Sequence, residues 1–157
     1  MTLPDSIATA VASLFEALPL DSAMNSLVVQ TGASKSQIEI VEDILRTPAI
    51  AQRPALQAGL WLYVDELDRS HTVSQGISDA TGSFWHGIMH RREGDFGNSH
   101  YWFNRTGHHP AMDAVEGYAP HVFIDEVAAQ YQSGDDALAA LQRREWTALF
   151  SWCAHAS

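Results

Sequence analysis

Apolar residues recur at helical spacing along most of the chain. Ile7, Val11, Leu14, Phe15 and Leu18 mark one face of a first helix that Asp5 can cap and Pro19 ends. The stretch 20–33 is mixed, with β-branched Val28 and Val29 and a break at Gly32, and reads as a loop or short helix. Ser34 or Ser36 opens the next helix, which carries Ile38, Val41, Ile44 and Leu45 and closes before Pro48. Pro54 begins a helix over 55–66, another covers 68–76, and 78–83 reads as a turn around Gly82. The spacing predicts helices over 84–93 and 96–106, separated by Gly94-Asp95 and stopped by Gly107. His108-His109-Pro110 is a connector. Pro120 starts a helix to about Gln132, and Asp135-Asp136 open a last one to Ala154 at a favourable end for acidic residues. No segment alternates in the manner of a strand. The predicted fold is all-α, a single helical domain over 1–157.

Composition narrows the function classes. The chain is 46% hydrophobic and 18% charged, which suits a packed domain rather than a disordered one. Nine Lys and Arg against nineteen Asp and Glu give a formal charge of −10. A phosphate backbone or an anionic membrane requires a basic face, so neither nucleic acid nor membrane is the expected partner. No apolar run approaches the ~20 residues of a membrane span. Cys153 is the only cysteine, and the first twenty residues carry Asp5 and Glu16 without a basic leader. Both features point to the cytoplasm.

The middle of the chain contains an internal echo. Glu66-Leu67-Asp68-Arg69-Ser70-His71 aligns with Asp95-Phe96-Gly97-Asn98-Ser99-His100, and the same shift sets Ala58 against Gly87. Two related helical hairpins, 58–76 and 87–106, follow from that register. In the second, Gly87, Ser99 and Thr106 are small enough to let two helices approach, and Phe96 and Phe103 fill the space between them. Gly87, Gly94-Asp95-Phe96, Ser99, Phe103, Thr106 and Pro110 together resemble a tetratricopeptide repeat. The resemblance implies two tetratricopeptide-like hairpins flanked by N- and C-terminal helices, and a partner-binding scaffold rather than an enzyme. The longer string from Trp85 to Asp95, continuing through Tyr101-Trp102-Phe103 to His109-Pro110, is similar to a family of uncharacterised bacterial and fungal proteins.

Unusual chemistry concentrates in the same stretch. His86 and His90 lie one helical turn apart, so their imidazoles share a face at a spacing that suits a metal ion. His71, on the preceding hairpin, approaches that face if the hairpins stack. With Glu93 as a carboxylate ligand, or a water in its place, the set would suit Zn, Ni or Fe. The residue after His86 is Gly87 where a zincin would need Glu. By the repeat alignment His86 and His90 take inward sites where apolar groups usually pack, and buried imidazoles cost free energy unless something satisfies them. Arg91 and Arg92 add cations that either hold a small anionic ligand or pair with nearby acids. Trp85 and Tyr101 either line the same ligand site or belong to the core.

Two functional readings follow. One is a binding or scaffold protein that takes a protein partner or a second copy of itself as a homodimer. The other is a small-molecule-binding protein or enzyme built on His71, His86, His90 and an arginine, with or without a metal. Imidazoles bonded to backbone favour the first, and converging imidazoles favour the second.

Overall fold

A helix begins where its first N–H groups find an acceptor, and Asp79 rather than the glycine three residues later sets the start of the central helix. Its side chain accepts from the Gly82 amide at 3.0 Å. The helix therefore opens at Ala80, and the turn expected over 78–83 is its first turn. Gly82 is needed there because a Cβ would meet the Ile77 carbonyl at 2.1 Å.

The computed structural model describes residues 1–156. Its helices are α1 (Asp5–Ala17), α2 (Lys35–Leu45), α3 (Pro48–Ala51), α4 (Pro54–Tyr63), α5 (Leu67–Ser74), α6 (Ala80–Glu93), α7 (Phe96–Thr106), α8 (Pro120–Gln130) and α9 (Asp136–His155). Short 3-10 turns cover Leu20–Ser22 and Pro110–Ala114, and no strand occurs among the described residues. The all-α expectation is met. Ser34 opens α2 with a capping box closed by Gln37. The extra helix α3 begins at Pro48, whose fixed φ suits a first helical position as well as it suits a helix stop.

The pairs α4–α5 and α6–α7 are packed hairpins, and they repeat in hydrogen bonds as well as in sequence. Ser70 Oγ donates to the Ala58 carbonyl at 2.9 Å, and Ser99 Oγ donates to the Gly87 carbonyl at 2.7 Å. Each turn is closed alike, by Glu66 N–H to the Trp61 carbonyl and by Asp95 N–H to the His90 carbonyl, both at 2.9 Å. The left-handed turn residue is Gly94 (φ 86°) in the second hairpin and Asp65 (φ 65°) in the first. At Gly87 a Cβ would lie 2.8 Å from the Phe103 ring, so the close approach read from the small residues is present.

Helix α6 is surrounded. Every residue from Thr81 to Arg92 is buried, against α5 and α7 on its flanks and α4 as well. Trp85, Phe84, Ile88 and Met89 join Trp146, Leu149 and Phe150 of α9 in the main core.

Candidate metal centre

A helix buried on all sides is ordinarily apolar, yet α6 carries Thr81, Ser83, His86, His90, Arg91 and Arg92. Each buried polar group needs a partner, and following them one by one locates the site.

Arg91 is met by Glu145 of α9, with Nη1 to Oε2 at 2.9 Å and Nη2 to Oε1 at 2.7 Å, both side chains fully buried. Tyr118 donates to the same carboxylate, and the guanidinium lies 4.1 Å from the centre of the Phe123 ring. Arg92 donates to Asp65 Oδ1 at 2.6 Å and to the Leu62 and Ser26 carbonyls. Burial pulls its guanidinium below the ordinary value, against the opposing effect of Asp65. Both arginines point into the protein and hold helices together. Of the two roles open to them in the sequence, ion pairing is the one they occupy. Trp85 is likewise in the core, its ring against Gly59.

His86 and His90 turn to the opposite account. No backbone group bonds either ring. His71 of α5 meets His86 edge-on at 4.6 Å between ring centres and His90 at 5.5 Å, while His86 and His90 lie 4.8 Å apart. One ligand atom from each of the three lies within 4.8 Å of the others. Imidazole nitrogens around one ion ~2.1 Å away are roughly 3.0–3.4 Å apart, so closure on a metal takes small ring rotations. His86 is 3% exposed and its Nδ1 is buried with no hydrogen-bond partner. Burial first, then repulsion from His90 and His71, holds its pKa down to about 4. At neutral pH it is therefore an uncharged imidazole with a lone pair to offer.

Glu93 sits 2.6 Å from His90 Nδ1. That contact keeps the proton on Nδ1 and leaves Nε2 with the lone pair that could bind a metal. His90, Glu93 and Asp95 form a second group close enough to hold a metal. In this group Asp95 is already spent as the cap of α7, accepting from the Asn98 amide at 3.1 Å and side chain at 2.7 Å. Those bonds pull its carboxyl below the usual range.

The fourth wall is Trp102 of α7, whose ring stacks on His86 at 3.8 Å and 12°. On Trp102 lies Arg105, its guanidinium carbon 5.3 Å from the ring centre, with Tyr101 beside it, half exposed and in reach of an Arg105 hydrogen bond. Arg105 makes no ion pair among the described residues. In the sequence Trp102 is one of an aromatic string and Arg105 a third local arginine, and neither is singled out as a site residue. The repeat register held the clue, since Gly87 meets Phe103 across the hairpin and the neighbouring positions meet in turn.

Cys153 lies in the core, its thiol pushed up to about 12 by burial, and is no nucleophile. No described helix is long and apolar enough to cross a membrane. Compared with known proteins, the chain matches no family model, no curated protein and no solved structure.

Proposed function

We propose that the protein binds a divalent transition metal through His71, His86 and His90, with Glu93 as the outer carboxylate that orients His90. The observation carrying this reading is the buried, unpartnered Nδ1 of His86 beside two further imidazoles. The fold supplies Glu145 and Asp65 for its buried arginines and Glu93 for Nδ1 of His90, but no protein partner for Nδ1 of His86. Neutral nitrogen donors suit Zn, Ni or Fe. Such an ion, held by three imidazoles, keeps positions for water or an anionic ligand and supplies Lewis acidity there. Arg105, without an ion pair among the described residues and lying against Trp102, is the arginine left for the anion-binding role that the sequence had offered to Arg91 and Arg92.

A scaffold reading rests on a different observation, the matched hydrogen bonds of the two hairpins, which support the tetratricopeptide-like arrangement. It gives the unpartnered Nδ1 of His86 no task, and the metal reading is preferred.

Elemental analysis and zinc titration of untagged protein test the proposal. His86→Ala and His90→Ala should each abolish stoichiometric metal, while His108→Ala and His155→Ala, on exposed side chains, should leave it intact. A purely structural cluster would instead show a stability loss of ~1–3 kcal/mol for the inner pair and no metal in any variant.

A further inference from the structure

A second histidine site lies one hairpin further along. His71 and His100 occupy the same place in the two hairpins, each directly after the serine that bonds the facing helix. His71 meets an i, i+4 pair on α6, namely His86 and His90. His100 meets an i, i+4 pair on the helix that follows it, His121 and Asp125 of α8. Here the side chains satisfy one another. His100 Nε2 is 2.9 Å from Asp125 Oδ1, and His100 Nδ1 is 2.7 Å from His121 Nδ1. The two rings are inclined by only 2° with centres 5.0 Å apart. That spacing is two ring radii plus the hydrogen bond, so the rings lie end to end in one plane rather than face to face. This is the geometry of an in-plane N–H···N bond.

The tautomers follow from the donors and acceptors. A carboxylate only accepts, so His100 carries its proton on Nε2 and presents a bare Nδ1. His121 must then donate from Nδ1, which leaves its Nε2 with a free lone pair. We infer that Asp125, His100 and His121 form a relay that makes His121 Nε2 a nucleophile toward activated acyl groups. His121 is partly exposed, and Asp125 is open to solvent. When Nε2 attacks an acyl carbon, an N–C bond forms and the bond to the leaving group breaks, the leaving group departing with the electron pair. The positive charge left on His121 is relieved as its Nδ1 proton passes to His100 Nδ1. His100 becomes the imidazolium, held by Asp125 through Nε2–H.

The whole chain, labelled with ¹⁵N, provides one test. At pH 8.5 long-range proton–nitrogen spectra should show His121 protonated on Nδ1 and His100 on Nε2. The second test is carbethoxylation by diethyl pyrocarbonate, mapped residue by residue with mass spectrometry. His121 should react faster than His108 and His155. Asp125→Asn should slow it about fivefold, the scale on which an exposed ion pair acts. His100→Gln should slow it further, with His108 and His155 unchanged in both variants. His121 protonated on Nε2, or a carbethoxylation rate indifferent to Asp125→Asn, overturns the relay. If a variant fails to fold, the tautomer measured on the native protein decides alone.

Discussion

Glu93 shows how one side chain changes meaning between sequence and structure. Three residues after His90 it reads as a ligand, but in place it holds Nδ1 of His90, and under the proposed function it would stand behind the metal rather than bind it. Its removal should therefore weaken binding rather than abolish it. Glu93→Gln is expected to lose about 10- to 100-fold in zinc affinity with the fold intact, measured by competition with a chelating dye. A loss as complete as that of His86→Ala would make Glu93 a direct ligand. The histidines themselves were legible from the sequence because helical spacing fixes which residues share a face. The fates of Arg91 and Arg92 were not, since their partners Glu145 and Asp65 lie 54 and 27 residues away and only tertiary packing selects them.

Among the elements, the α6–α7 hairpin contributes most of the candidate site, setting Trp102 against His86, while His71 comes from α5. Gly87 governs that approach. A Cβ there would come within 2.8 Å of two Phe103 ring atoms, so even Gly87→Ala requires the ring to shift. Gly87→Leu should cost ~1–3 kcal/mol of stability and lower metal affinity through displacement of α7. Thermal unfolding and zinc titration check it, and an unchanged midpoint would refute the close approach. Most helix positions could be read from apolar spacing and prolines. The start of α6 could not, because Gly82 reads as a turn residue and its tolerance inside a first turn depends on the Ile77 carbonyl against it. Asp65 was also opaque: it takes the left-handed turn position that Gly94 holds in the second hairpin, at a conformational cost that its bond to Arg92 offsets.

For the molecule as a whole, two buried histidines set an acid limit. His109 accepts the Ala111 amide on Nδ1, so its Nε2–H donates to Thr81, and burial pulls its pKa down. His86 is held to about 4. Unfolded histidine titrates near ~6.5, so below that pH the unfolded chain binds the extra protons. Their contribution to stability is complete above pH ~6.5 and declines as pH falls toward 4. Urea unfolding without metal should show a loss of ~1–3 kcal/mol across that window, reduced in His109→Gln. A flat profile would mean that neither ring is held neutral. The surrounded position of α6 bears on how the chain folds. Docking α6 before α9 arrives would bury the Arg91 guanidinium without Glu145, and docking it before the α4–α5 turn forms would strand Arg92 in the same way. Partly folded forms are thereby penalised electrostatically, although the hairpins look separable as modules. The amides of α6 and α9 should accordingly exchange with solvent through one shared opening, at the rate of global unfolding, so that the repeat behaves as a single cooperative unit.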